Sequence, residues 1–249
     1  MTACLTIIRY RKRFIPLALL AMAIHRLPLW FNKKISFYKL LGSGRNGSFD
    51  KHPDWQQWGI FAVGREQSAV GSQQPAALAA VNNDYLKRLY GSFIAGWFKF
   101  FGCETWTIFL EPTEGHGSWA GKEPFGQLPR QTDFDGPVAV LTRATIRLSK
   151  LKAFWAHVNP VAVKMNTAEG FVTSLGVGEI PWLRQATFSI WQSKEAMKQF
   201  AYSMKEHQEV IIKTRKDKWY SEDLFARFKI LEATGTIKGK DPLEKLSKL

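Results

Sequence analysis

Val138-Ala139-Val140-Leu141-Thr142-Arg143-Ala144-Thr145-Ile146-Arg147 is a strand-type run with arginines four residues apart, and its pattern recurs near the start of the chain. A shift of 134 positions sets Arg9 and Arg13, in the run 5–13, against Arg143 and Arg147. The same shift sets Leu41-Gly42-Ser43-Gly44 against Leu175-Gly176-Val177-Gly178. At a shift of 127, Trp55 meets Trp182, Phe61 meets Phe188 and Ala69 meets Ala196; at 121, Leu110-Glu111 meets Leu231-Glu232. A shift that shrinks in steps along the chain is what a duplication with loop insertions leaves behind.

Each half then reads as the same six elements. In the second half these are strand 138–147, helix 151–168, strand 171–177, strand 185–191, helix 194–214 and strand 225–233. The first half repeats them as 5–10, 14–27, 35–41, 59–63, a helical stretch around 83–100, and 106–110. The order β-α-β-β-α-β is that of a ferredoxin-like unit, so the sequence predicts an α+β chain of two tandem units packed as a barrel-like pair. The expected layout is a first unit over 1–113, a Gly- and Pro-containing linker or covering loop over 114–136, a second unit over 137–235, and a frayed, solvated basic tail over 236–249.

Composition narrows the class. The chain has 249 residues, 45% of them hydrophobic, which is enough for a substantial core and excludes intrinsic disorder. Two cysteines, Cys4 and Cys103, make no disulfide framework and no metal knuckle, and point to a reducing, cytoplasmic setting. The formal charge of +14 is uneven: residues 1–34 hold seven Lys/Arg and no acid, 35–136 nine against ten, and 137–249 nineteen against eleven. Arg9 to Arg13, the apolar run 14–24 and Ala21-Met22-Ala23 imitate a secretory signal, but cleavage there would delete the first strand of the repeat, so that strand is expected to stay. The apolar helix flanked by basic residues suggests peripheral contact with an anionic membrane.

The motifs are read against their plainer alternatives. Gly42-Ser43-Gly44-Arg45-Asn46-Gly47 has dinucleotide-fingerprint spacing, but no helical pattern follows it, so a tight turn between strands is expected. There is no Gly-Lys-Ser/Thr loop, Gly-x-Ser-x-Gly elbow or His-Glu-x-x-His helix. Of five histidines, His207 shares a helical stripe with Met197, Phe200, Met204 and Ile211. It is either a core imidazole bonded to a backbone carbonyl or an axial ligand to haem iron. Without Cys-x-x-Cys-His any haem b is non-covalent, and its propionates need cations, for which Arg143, Arg147, Arg184 and Arg215 are candidates. Trp191 is a candidate wall of an apolar cofactor pocket.

The runs Gly136 to Arg147, Arg184 to Trp191, Phe200-Ala201-Tyr202 with His207, and Trp219-Tyr220 with Leu224 to Phe228 resemble the spheroidene monooxygenase family. The first half agrees more loosely, through Leu41 to Gly44, Pro53-Asp54-Trp55 and Gly117-Ser118-Trp119. The resemblance implies a haem-containing, O2-dependent oxygenase of carotenoid biosynthesis that places a keto or hydroxyl group near the end of an acyclic carotenoid. The chemistry then fits His207 as the iron ligand and Arg143 or Arg184 acting on bound oxygen or a propionate; with no flavin or nicotinamide motif in the chain, electrons are expected from an external donor such as a ferredoxin. Two other readings remain: a non-catalytic haem- or carotenoid-binding protein of the same fold, and an RNA-binding module, whose basic-Gly-aromatic strand signature is absent. Neither the motifs nor the charge pattern calls for nucleic acid.

Overall fold

The computed structural model describes residues 1–45, 52–65, 84–203, 214 and 216–246, apart from the side chains of residues 84, 157–162, 202 and 203. Its strands are β1 (Ala3–Arg9), β2 (Ile35–Gly44), β3 (Pro53–Gly64), β4 (Glu104–Gly117), β5 (Val138–Ile146), β6 (Phe171–Ile180), β7 (Arg184–Trp191) and β8 (Tyr220–Gly235). The helices described are α1 (Ile15–Ile24), α2 (Arg26–Phe31), α3 (Asp84–Tyr90), α4 (Ser92–Phe100), α5 (Leu151–Asn166) and α6 (Lys194–Ser203).

All eight strands pair antiparallel into one closed barrel, in the order β1-β3-β2-β6-β7-β5-β8-β4. The first four strands are ordered β4-β1-β3-β2 and the last four β8-β5-β7-β6, the same arrangement twice. The halves join edge to edge, through a short β2–β6 ladder and the long β4–β8 ladder. Closure leaves no free sheet edge. Because side chains alternate across a strand, every strand sends one set inward: Leu5, Leu41, Phe61, Ile108, Leu141, Leu175, Phe188 and Ala226 all belong to one core inside the barrel. The other set faces the helices outside.

The ladders correct the register of the repeat. Ile8 faces Trp58, while Thr142, its counterpart at 134, faces Thr187, so β3 maps onto β7 at a shift of 129 rather than 127. Similarly, Ile8 faces Thr105 and Thr142 faces Phe225, which puts β4 on β8 at 120 rather than 121. The second error matters more, since a slip of one residue exchanges the two faces of a strand. Ala69 lies outside the described residues.

Several boundaries also move. The expected linker begins later, because Glu114 to Gly117 extend β4. Gly117 has φ +90°, and a side chain there would collide with the Asp223 carbonyl, so glycine lets β4 end beside β8. The tail is not frayed through residue 246: Glu104 accepts the backbone N–H groups of Lys238 and Gly239 and the Thr236 hydroxyl, and Leu243 is buried in the barrel core. The helix predicted over 14–27 is divided at His25 into α1 and α2. β1 is paired on both sides, as a strand that cannot be cleaved away without opening the barrel.

Candidate functional site

On the outer face of the second half, one row of residues crosses five strands. Gly176 on β6 faces Thr187 on β7, Thr187 faces Thr142 on β5, Thr142 faces Phe225 on β8, and Phe225 faces His116 on β4. In the next row Ser174 faces Ser189, which faces Val140. The corresponding first-half positions are Gly42, Trp58, Ile8 and Thr105, with Leu40 facing Ile60 behind them. There the large side chains are packed: Ile8 and Ile60 are buried, and Leu40 and Trp58 lie against the same cluster, which α1 to α4 complete with Ala18, Ala21, Leu29, Tyr90, Ile94 and Phe98. The second half substitutes Thr142, Ser174, Thr187 and Ser189 for Ile8, Leu40, Trp58 and Ile60, and leaves Thr142 exposed and Ser174 and Thr187 half-buried. The repeat therefore keeps the backbone and removes side-chain bulk from one face only, producing a floor of small residues.

Aromatic clusters close both ends of this floor. At one end Val138, Val140, Met165, Phe171, Trp191 and Met197 pack together, with Phe200 against them. Trp191 is buried, its ring 5.1 Å from Phe200 and 5.4 Å from Phe171, and its indole N–H donates to Ser189 Oγ at 3.0 Å. At the other end Ile146, Phe154, Trp155 and Trp219 form a separate cluster, with Tyr220 at its edge. His116 stacks on Phe225 at 5.6 Å and marks the β4 border of the row.

The wall carried by α6 is fixed by a buried charge cluster. Glu114, on β4, receives Lys194, the first residue of α6, on one carboxylate oxygen and Arg227, on β8, on the other. The Thr132 backbone N–H and hydroxyl also donate to it, at 2.8 and 2.9 Å, so the covering segment 118–136 is pinned at the same point. Burial works to raise the Glu114 pKa, but hydrogen bonds from Lys194, Thr132 and Arg227 outweigh it and bring the group down to about 2.

Arg143 points the other way. Leu141 and Ala139 face the barrel core, and Arg143 follows them in the alternation, 2% exposed, paired with Glu222 and, at 3.4 Å, with Glu179. Glu179 also accepts from Lys39 at 2.9 Å and from the Trp119 indole at 2.6 Å, and Glu222 accepts from Ser118 at 2.9 Å and the Gly121 backbone at 2.8 Å. Burial raises the Glu222 pKa less than the Gly121 N–H, Arg143 and Ser118 lower it, and the net value is about 2. The first-half counterpart is simpler: Arg9 pairs with Asp54 at 2.9 Å. The two arginines that revealed the repeat are thus interior ion-pair residues at equivalent barrel positions.

The other expected site residues are dispersed. Trp191 lies on the floor's aromatic border. Arg184 starts β7 half-buried on the same alternation as the inward-facing Ala186 and Phe188, so neither it nor Arg143 joins Trp191 on the outer face. Arg147 follows β5, exposed, with its backbone N–H on the Trp219 carbonyl at 2.9 Å, beside the second aromatic cluster. His207 and Arg215 fall outside the described residues. The fingerprint-like Gly42-Ser43-Gly44 is not the expected tight turn: these residues are the last three of β2, paired with β3 and β6, and Asn46 and Gly47 lie outside the described residues. The small floor was not recognised in sequence; its signal was present in the repeat, as the exchange of Ile8 and Leu40 for Thr142 and Ser174, once faces are assigned.

These residues suit a flat, largely apolar group such as a haem: a floor without projecting bulk, aromatic ends, and Arg147 at one margin. Among the described residues no cluster of His, Cys, Asp or Glu could hold a bare metal ion.

The geometry defines a class: an α+β barrel protein whose outer sheet face carries large packed side chains in one half and a floor of small ones in the other. Two solved structures of aldoxime dehydratase, one in complex with butyraldoxime, share the fold, with TM-scores of 0.58 and 0.54 at 10% identity, covering 92% of this chain and 79% and 80% of theirs. No family model matches. The chain is 34% identical over 232 residues to spheroidene monooxygenase of Rhodobacter capsulatus, covering 92% of this chain and 89% of that one. It is 33% identical over 223 residues to that of Cereibacter sphaeroides, covering 89% and 64%, and 33% identical over 204 residues to that of Rubrivivax gelatinosus, covering 82% and 72%. The chain belongs to the spheroidene monooxygenase family, and is an oxidoreductase of the monooxygenase class.

Proposed function

We propose that this enzyme oxygenates an acyclic carotenoid near its end, giving a hydroxyl or keto product, with a non-covalent haem b in the second-half slot. The reading also takes the two halves as tandem ferredoxin-like units, the second having become the catalytic one. The observation that carries it is the replacement of Ile8, Leu40, Trp58 and Ile60 by Thr142, Ser174, Thr187 and Ser189 at equivalent positions of a duplicated sheet. Such a loss of packing is unfavourable unless something else occupies the space.

His207, whose sequence spacing from Met197 and Phe200 is that of one helical stripe, is the proposed iron ligand, and Arg147 and Arg215 the proposed propionate partners. When bound, the haem would supply O2 activation, with electrons from an external donor such as a ferredoxin. The chain's own residues do the rest: Trp191, Phe200 and Phe171 exclude water at one end, the Thr142 and Thr187 hydroxyls offer hydrogen bonds along the floor, and the Phe225–His116 stack borders it. Arg143 acts as a positioning residue that holds β5 through Glu222 and Glu179, and Arg184 flanks the mouth of the barrel. An allylic C–H bond beside the polyene is weakened by conjugation, and two hydroxylations at one carbon give a gem-diol that loses water to form a ketone.

The test is an absorption spectrum of protein expressed with haem available, followed by carotenoid feeding. A Soret band that His207→Ala shifts or abolishes, and acyclic products heavier by oxygen, are expected. The absence of a Soret band defeats the haem reading; a Soret band without oxygenated product leaves a binding protein.

A further inference from the structure

We infer that α1, α2 and α4 form a docking face for an anionic lipid bilayer, separate from the floor of the second half and independent of the haem reading. Leu27, Trp30 and Phe31 on α2 are 63%, 75% and 77% exposed, and Phe100 on α4 is 82% exposed. Phe93 on α4 and Leu19 and Leu20 on α1 add to the same surface. α4 lies beside α1, antiparallel to it: the His25 ring, where α1 passes into α2, lies 6.1 Å from Phe93, and Phe14, just before α1, lies 5.1 Å from Phe101, just after α4. Their inner sides pack on the barrel through Ala18, Ala21, Leu29, Ile94 and Phe98. The aromatics therefore project from a rigid support rather than from a loose end.

Isolated exposed apolar residues are ordinary, whereas Leu19, Leu20, Leu27, Trp30 and Phe31 recur at helical spacing along α1 and α2, and such a row marks a contact surface. Charge identifies the occupant. Arg11, Arg13, Arg26, Lys33 and Lys99 are exposed around the aromatics, and neither 1–34 nor 91–103 contains an acidic residue. Apolar anchors beside cations, on segments that carry no carboxylate, match a bilayer whose surface is anionic, with Trp30 suited to the headgroup boundary. A second copy of this face would repel it. The apolar stretch Lys12–Phe31 has the composition of a membrane span, but Ala18, Ala21 and Leu29 are buried against the barrel, so it lies along the protein surface.

The experiment is co-sedimentation of the full chain with phosphatidylcholine vesicles, with and without about 30% phosphatidylserine, where each cation near the surface strengthens binding severalfold. Binding at least ~10-fold stronger to the anionic vesicles is expected, weakening as salt rises from about 0.1 M to about 1 M and the screening length shortens. Trp30→Ser/Phe31→Ser/Phe100→Ser, at exposed positions that leave the thermal midpoint unchanged, should lower partitioning by on the order of 100-fold. Equal binding by this variant overturns the inference, as does equal binding to neutral and anionic vesicles. A dimer in sedimentation equilibrium that the triple variant dissociates, with no vesicle binding by the wild type, assigns the face to a second copy and likewise overturns it.

Discussion

Glu114→Gln tests whether the charge cluster fixes the helix that forms the slot's wall. The substitution preserves shape but leaves Lys194, 4% exposed, and Arg227 without their carboxylate. Breaking one partner out of a buried ion pair costs about 3–5 kcal/mol. A second route gives a similar figure: the Glu114 pKa falls from 4.5 to about 2, and at 1.36 kcal/mol per unit that is ~3 kcal/mol. For a chain of this size the thermal midpoint should fall by about 6–12 °C, at ~2–4 °C per kcal/mol. A depressed carboxylate contributes its full stability above the unfolded pKa and loses it as pH falls through the folded one. The gap between wild type and variant should therefore be constant near neutrality and close as pH drops from 4.5 toward 2. Calorimetry or circular dichroism from pH 7 to pH 3 reads both effects. If the variant unfolds too readily, the Glu114→Leu/Lys194→Met pair, which removes both charges, should recover part of the loss. A midpoint shift under ~2 °C, or a gap that ignores pH, would refute the reasoning.

Other perturbations probe the floor, the interior and the tail. Thr142→Ile with Ser174→Leu copies the first half into the second; the variant should stay folded by circular dichroism, while cofactor content and carotenoid oxygenation fall by at least ~100-fold if side chains fill the slot. Arg143→Met leaves Glu179 and Glu222 facing each other inside the barrel and should cost about 3–5 kcal/mol in urea unfolding, with no requirement for cofactor. Truncation after Asp241 removes Leu243 from the barrel core, and should lower stability by about 1.5–3 kcal/mol, whereas a solvated tail would make no difference.

How far the fold could be read depended on which physical signal each element carried. The strand-type runs around Arg9 and Arg143 were legible because alternation and arginine spacing are local, and they placed all eight strands in order. Strand ends were less so: β4 runs on to Gly117 because it pairs with β8 as far as Leu224, and β8 begins at Tyr220 because its first residues pair with β5, long-range facts that no window of sequence contains. The tail looked solvated because Lys238, Lys240 and Lys245 dominate its composition, yet Glu104, far away in sequence, organises the turn that delivers Leu243 to the core.

The arginines show why site prediction lagged behind fold prediction. A guanidinium on a strand bordering a cavity can face either the core or the helices, and its chemistry alone favours an anionic ligand equally in both cases. Only the register decides, and for Arg143 it selects Glu179 and Glu222. Once faces are known, the informative residues become the unremarkable ones. Thr142, Ser174, Thr187 and Ser189 carry no motif, and in a single copy would pass for ordinary half-exposed strand positions. Set against Ile8, Leu40, Trp58 and Ile60 in the same chain, they form an internal control: the same strand arrangement, with large side chains at these positions in one half and small ones in the other. The comparison also separates two demands on the duplicated unit. The first half seats its helices over large side chains and turns their outer side into an exposed apolar, basic face, while in the second α6 is held at the end of the floor, by Met197 against Val138, Val140 and Trp191 and by Glu114 on Lys194. Anchored at that end, α6 does not depend on large side chains at Thr142 or Thr187 for its position.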